Sequence, residues 1–403
     1  MSLPARLSIK GMSLSYHSSP QGAGKRDLRI DFLRGIALIM MVTAHIEITS
    51  FVNVFTWERF GLTTGAEGFV ILSGFVLGFL KKKQLERDHF LTVAYSILRR
   101  AVTLYFINIT VILSILLLTK VGVNTYETTH FVERFTDTPY SMYPSDGGSL
   151  ESWLNNIIFL QIGPHQTQIL GLYFYLLLVT PIMLYLLYHK KALLLIGISL
   201  ILYLIYQDNT LILTSAEFEF AFPLLAWQLI YVLGLCCGWY KDELMSLAKN
   251  QFGVFVIGFL VVIFFILLFI AQNHTNPFLP KSFFIHILST EQFDWLYENL
   301  AAKNALGPLR IINDIALLVT MYVFLSYFWR PMNYLFSWFL IPLGQNSLYT
   351  FILHVYVVLI VSLFIKFNLL EYHWLRNTLV HCAALIFLWW LAKYQVLRRF
   401  VPN

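Results

Sequence analysis

Apolar residues in this chain gather into runs of about twenty, and the polar residues collect between the runs instead of alternating with them. A segment that crosses the hydrocarbon of a bilayer needs about 20 mostly apolar residues wound as helix, because no water is present to satisfy a free backbone. Runs of that kind lie near 33–55, 64–81, 97–119, 168–188, 191–207, 221–240, 251–271, 309–329, 343–366 and 374–395. The pattern predicts an all-α, polytopic transmembrane bundle of about ten helices, with 191–207 the shortest span. The run WLNNIIFLQIG at 153–163 is too short to cross and fits an interfacial or re-entrant segment. Two long connections, roughly 120–167 and 272–308, are rich in aromatic and polar residues. Residues 1–29 are Ser/Gly-rich and basic, with no apolar stretch of signal-peptide length, and read as a flexible lead-in to a transmembrane domain over 30–400.

Composition agrees. The 403 residues are 58% hydrophobic and 12% charged, with a mean hydropathy of +0.67, where a soluble domain carries roughly 25% charged residues. Lys and Arg counted by loop set the orientation. With the N-terminus in the cytoplasm, 20 of the 28 basic residues but only 6 of the 22 acids fall on the inner side. Both chain ends are therefore expected inside, and the two long connections outside. The same asymmetry accounts for the net charge of +6 without a nucleic-acid partner. Cys236, Cys237 and Cys382 sit in apolar runs and make neither a disulfide framework nor a metal site. No P-loop, HExxH, GxSxG or paired-Cys motif is present, which removes the common ATPase, zinc-protease and serine-hydrolase readings.

Candidate chemistry lies in polar residues within the spans. Placing a charge at the centre of a membrane helix costs about 2.5–3.5 kcal/mol on insertion scales, so such a residue calls for a functional explanation. Arg34 and His45 are eleven residues apart, about three turns, hence on one helix face and about 16 Å apart along the axis. Arg34 then marks the cytoplasmic mouth and His45 the middle of the bilayer. Snorkelling of Arg34 and a helix-bridging hydrogen bond from His45 are the plainer alternatives. Glu67 opens the second span in GAEGFVILSGFVLGF, where Ser73 can reach the core and Gly74 and Gly78 form a small-xxx-small packing pair. Glu47 and Asp314 are weaker cases of the same kind. In PLGQNSLYTFILH, His354 is a second mid-span histidine, sharing a face with Ser347 and close to Asn346. Gln228 sits among aromatics in FPLLAWQLIYVLG and suits a helix bridge better than a substrate contact. Lys81 to Lys83, Arg87, Arg99 and Arg100 form an inner cationic patch, readable either as lipid attraction or as a clamp for a phosphorylated donor.

RGIALIMMVTAH resembles the Arg-x10-His motif of the membrane-bound acyltransferase-3 family. DFLRGIALIMMVTAH, TTGAEGFVILSGFVLG, PLLAWQLIYVLG and LGQNSLYTFILH together resemble its OpgC branch, from about Asp31 to the last helix. The resemblance implies a multi-pass protein of the bacterial inner membrane. It implies a cytoplasmic acyl-CoA donor, succinyl-CoA above all, and a periplasmic glucan as acceptor, with membrane lipid as the other partner and no metal. Carried onto this chain, His45 and Glu67 would be catalytic, and Arg34, Arg99, Arg100 and Ser73 would meet the donor. Gln228, Asn346 and His354 would line the cavity. An anionic acyl group favours a cation deep in the tunnel, for which Arg34 is the candidate. Acetyl in place of succinyl remains open, as does an acyl-histidine intermediate in place of direct transfer. Tyr126, Tyr140, Tyr143, Trp153, Trp295 and Tyr297 in the outer connections offer ring faces to a sugar. Two other classes compete. A secondary transporter would use His45, Glu67 and His354 for proton coupling, although interrupted paired repeats are not evident. A nonenzymatic assembly or sensor subunit would tolerate loss of His45.

Overall fold

The computed structural model describes residues 17–18, 26–56, 58–133, 138–144, 149–276, 278–367, 373–396 and 398. Most of the predicted lead-in, residues 1–16 and 19–25, lies outside the described residues. The helices are α1 (Leu28–His45), α2 (Gly65–Leu85), α3 (Phe90–Lys120), α4 (Tyr126–Thr129), α5 (Leu150–Ile158), α6 (Gln168–Tyr188), α7 (Ala192–Asn209), α8 (Leu224–Trp239), α9 (Lys241–Leu247), α10 (Gln251–Ala271), α11 (Thr290–Leu300), α12 (Pro308–Tyr327), α13 (Trp329–Gln345), α14 (Ser347–Phe364) and α15 (Trp374–Tyr394). Two small antiparallel pairs complete the described elements: β1 (His17–Ser18) with β2 (Arg26–Asp27), and β3 (His130–Glu133) with β4 (Thr138–Ser141).

Seven described helices are long and apolar enough to cross a membrane: α3, α6, α7, α10, α12, α14 and α15. The pair α8–α9, bent by 77°, is an eighth when counted as one span. The protein is a multi-pass membrane protein. The first two predicted spans fall outside that set because of their charges, Arg29, Asp31 and Arg34 in α1, and Glu67 with Lys81 to Lys83 in α2.

The first predicted span differs most from the observed helix. Asp27 caps α1 by accepting from the Arg29 amide, so the helix starts five residues before the predicted 33, and it ends at His45, ten before 55. Residues 46–50 then run unwound yet buried, Ile46, Thr49 and Ser50 having no exposed surface. Unwound backbone in a membrane protein survives only where protein satisfies it. Here α15 supplies the partners. Asn377 Nδ2 donates to the Thr49 carbonyl (2.9 Å), His381 Nε2 lies 3.0 Å from the Ile46 carbonyl, and His381 Nδ1 lies 2.7 Å from Ser50 Oγ.

At the centre of the fold, α2 crosses α8 with backbones almost touching. A Cβ on Gly74 or Gly78 would run into the carbonyls of Tyr231 and Leu235, and one on Gly234 or Gly238 into those of Ile71 and Phe75. The small-xxx-small pair of α2 is thus matched by one on α8. α1 packs against α13, where a Cβ on Gly35 would strike the Leu340 carbonyl and one on Gly344 the Asp31 carbonyl. That brings the end of α13 back to the start of α1. The sequence pattern leaves 330–342 as a connection, because the helix there is short and amphipathic. Its Tyr334, Leu335, Phe336 and Trp338 are exposed while Trp329, Leu340 and Leu343 are buried. The predicted short interfacial segment corresponds to α5, whose residues are nowhere buried.

Candidate functional site

Two helices of the same direction carry the centre of the site. Arg34 on α1 donates through Nη2 to Ser347 Oγ at the start of α14. Further along both helices, His45 Nδ1 lies 2.8 Å from His354 Nε2. Ser347 and His354 are seven residues apart, two turns of α14, so the two contacts are about 10 Å apart in depth. His45 is the last residue of its helix but stands level with the interior of α14.

The tautomers follow from the partners. His354 Nδ1 meets the Phe351 carbonyl, which only accepts, so Nδ1 carries the proton and His354 Nε2 is a lone pair. His45 must then donate from Nδ1 to reach it. That leaves His45 Nε2 as an unprotonated nitrogen. A base whose other ring nitrogen is oriented by a hydrogen-bonded partner is the geometry of general-base catalysis.

His45 borders a cavity of about 70 Å3, room for several waters or a short acyl chain. Met41, Thr64, Ala66, Phe351, His165 and Lys303 are among its walls. The His165 ring stands edge-on to His45, centroids 5.8 Å apart. Lys303 belongs to a loop that is fastened on every side. Arg310 Nε donates to the Ala301 carbonyl (2.9 Å), Trp227 Nε1 to Asn304 (3.0 Å), Gln207 Nε2 to Ala305 (2.6 Å) and the Tyr203 hydroxyl to Leu306 (2.9 Å). Burial lowers the Lys303 pKa from its ordinary value, while Glu67 and Glu58 work in the opposite direction.

Behind that loop lies a buried ion cluster. Arg310, with no exposed surface, donates 2.5 Å to Glu58 Oε1 and 2.8 Å to Glu67 Oε1. The Tyr297 hydroxyl donates to Glu58 at 3.1 Å, and His274 Nε2 stands 3.5 Å from its other oxygen. Burial opposes ionisation of Glu58, but the charges of Arg310 and His274 outweigh it and hold the carboxyl below its usual range. Glu58 takes a left-handed φ of +60°, an uncommon conformation for a residue with a Cβ. The second oxygen of Glu67 accepts from the Thr64 amide (3.0 Å) and hydroxyl, a capping box that starts α2.

The sequence-derived candidates therefore separate into groups. His45 and His354 meet at the cavity. Arg34 lies toward the other end with Ser347, and its guanidinium sits 5.9 Å from the Phe69 ring. Ser73 is half-buried on α2, and the buried Tyr173 hydroxyl of α6 has no hydrogen-bond partner among the described residues. Arg99 and Arg100 are exposed on the first turns of α3. Glu67 is held by Arg310 and Thr64, and the cavity wall is formed by its neighbours Thr64, Gly65 and Ala66. Gln228 bridges to α7, accepting from Ser199 Oγ and donating to the Ser199 carbonyl. Asn346 ties the start of α14 to the Ala392 carbonyl of α15. Asp314 is buried on α12 one turn beyond Arg310. Of the six aromatics suggested for a sugar, Tyr126, Tyr140 and Trp295 are exposed, whereas Tyr143 is buried and Tyr297 serves the ion cluster.

Arg310, Glu58, His165 and Lys303 are additions of the structure. Arg310 had a signal, being a charge two residues inside an apolar run; the other three lie in connections without periodicity. Among the described residues no group of three or more His, Cys, Asp or Glu side chains is placed to hold a metal ion.

Residues 26–399 match the model of the family described as OpgC protein. No curated protein and no solved structure matches the sequence.

Proposed function

This chain belongs to the OpgC family, and from that premise we propose that it moves an acyl group, succinyl in the first instance, from cytoplasmic acyl-CoA to a hydroxyl of a periplasmic glucan. Membership makes it a transferase. The finer reading, including a place within the acyltransferase-3 superfamily and in the bacterial inner membrane, rests on the site. The eight apolar spans together with the charged α1 and α2 give ten crossings. With the basic ends inside, both termini are cytoplasmic, Arg34 and Arg100 face the donor's side and His45 the acceptor's.

The observation that carries the proposal is the chain of contacts from His45 Nδ1 to His354 Nε2 and from His354 Nδ1 to the Phe351 carbonyl. His45 Nε2 takes the proton of the acceptor hydroxyl as the oxygen attacks the thioester carbonyl. The C–O bond forms, the C–S bond breaks, and the imidazolium returns the proton to the departing thiolate. His354 holds the ring and accepts from the Nδ1 proton throughout. General-base catalysis of this kind is worth about 10²–10⁴-fold. Arg34 and Arg100 suit the phosphate-bearing donor, as guanidinium forks match phosphate oxygens.

The test is acyl transfer by purified protein in nanodiscs, with radiolabelled succinyl-CoA or acetyl-CoA and a periplasmic glucan extract. Wild type is expected to label the glucan, and a folded His45→Ala to fall by about 10²–10⁴-fold. Label retained by His45→Ala would remove the general base. Trapping of acylated His45 without acceptor would replace direct transfer by a covalent route. No transfer from either donor would favour the transporter reading.

A further inference from the structure

We infer that Lys303 is the residue that selects an anionic acyl group, by pairing its ammonium with the distal carboxylate of a dicarboxylic acyl thioester held at His45. The inference rests on the acyl-transfer reading and assigns within it a task the sequence had offered to Arg34.

Geometry separates the two cations. Arg34 is eleven residues before His45 on α1, about 16 Å along the axis, and is bonded to Ser347 two turns of α14 from His354. A donor reaching the site past Arg34 presents its carbonyl at His45. Its acyl chain then continues away from the CoA, toward the other side of His45. A four-carbon chain is too short to turn back the two helical turns, about 10 Å, between His45 and the Arg34–Ser347 contact. On the side it does reach, the cavity of about 70 Å3 has Lys303 in its wall, and the two groups are close enough to interact electrostatically.

The Lys303 loop has the construction of a fixed part. The carbonyls of residues 301, 304, 305 and 306 each accept a hydrogen bond from a side chain on α12, α8 or α7, and Asn304 Nδ2 donates back to the Phe220 carbonyl at 3.1 Å. A long side chain carries no selectivity from a mobile loop. From one held this firmly it presents charge at a set distance from the base. Of the three carboxylates whose charge acts on it, Glu67, Glu58 and Glu47, the first two are both bonded to Arg310. Arg310 thereby neutralises much of the negative field that would repel a substrate carboxylate.

The experiment compares succinyl-CoA with butyryl-CoA, equal in carbon count but uncharged, and with acetyl-CoA, in wild type, Lys303→Met, Lys303→Arg and Arg34→Gln, each checked for a cooperative melt. Wild type is expected to favour succinyl over butyryl by about 10–100-fold in kcat/KM, the range for a charge-assisted hydrogen bond. Lys303→Met brings that ratio to about one, Lys303→Arg restores much of it, and Arg34→Gln lowers all three donors alike. A wild-type ratio near one, with transfer intact, overturns the inference and leaves the enzyme reading standing. So does a ratio that survives Lys303→Met or is abolished by Arg34→Gln. An equal loss from all donors in Lys303→Met also overturns it, by making Lys303 an aid to the reaction at large. Absence of transfer from every donor in wild type refutes the enzyme reading itself.

Discussion

α10 and α1 are both helices of a membrane protein, and they are near opposites. α10 carries no charged residue in its 21 positions, and only Gly253, Phe264, Leu267 and Ala271 are buried. Phe255, Phe259, Val262, Ile266 and Phe269 face outward. α1 carries Arg29, Asp31 and Arg34, ends in His45, and buries twelve of its 18 residues. The most lipid-like helix lies at the edge of the protein, and the charge-bearing α1 lies within it. A side chain that touches lipid must be apolar, because hydrocarbon offers it no partner. One that touches protein can be polar if another helix completes its hydrogen bonds. Apolar character therefore reports contact with lipid, and polar load reports the site.

The contrast breaks most visibly if the polar load is removed without its partners. Arg310→Met leaves Glu58 and Glu67 buried without their cation, and a loss of about 3–5 kcal/mol is expected, read as a large fall in melting temperature in nanodiscs. A variant that melts with wild type would mean that the cluster is solvated and not structural. Next comes His354→Ala, which frees the His45 ring to turn. Transfer should fall by roughly 10²-fold in kcat with KM little changed. His354→Gln, whose amide oxygen can accept from His45 Nδ1, should recover part of it. Equal losses in both variants would reduce His354 to packing.

A third experiment moves to the rim of the bundle, outside both helices. Glu217, in the connection before α8, accepts from Gln168, and burial pushes its pKa up to about 8. A carboxyl whose folded pKa is raised binds its proton more tightly when folded. Its contribution is complete below its unfolded pKa of about 4.5 and is lost as pH rises through about 8. Glu217→Gln should therefore be about 1–3 kcal/mol more stable than wild type at pH 9, and nearly equal to it at pH 5. Parallel pH profiles would show that Glu217 stays charged on folding. The smallest effect belongs to α10: Phe255→Leu, exposed on the lipid side, should change stability by less than about 0.5 kcal/mol and leave transfer untouched. A larger loss would place a partner on that face.

How much of this was legible in the sequence follows the same division. Helix existence and the α2 packing pair could be read from periodicity and small residues. The alignment of Arg34 with His45 and of Ser347 with His354 came from counting turns. What joined the two lines was a contact between α1 and α14, which no spacing within either helix contains. Arg310 stood in view but lay outside every motif. Lys303, His165 and Glu58 reach the site from connections, where direction depends on loops tied down by distant side chains. The end of α1 at His45 was hidden because the following IEITSFVNVF is apolar enough to continue a span. α15 stabilises the break, and that helix begins more than 300 residues later.

That last dependence sets an order in time. The unwound stretch 46–50 is translated more than 300 residues before Asn377 and His381, the α15 side chains that meet it. Until α15 arrives, the carbonyls of Ile46 and Thr49 lack the donors it supplies, so the backbone after His45 settles only once that helix is made. A nascent chain at a rate of about 5–20 residues per second thus spends tens of seconds in the bilayer with the backbone after His45 unset. The segment that carries His45 is translated long before it can become native.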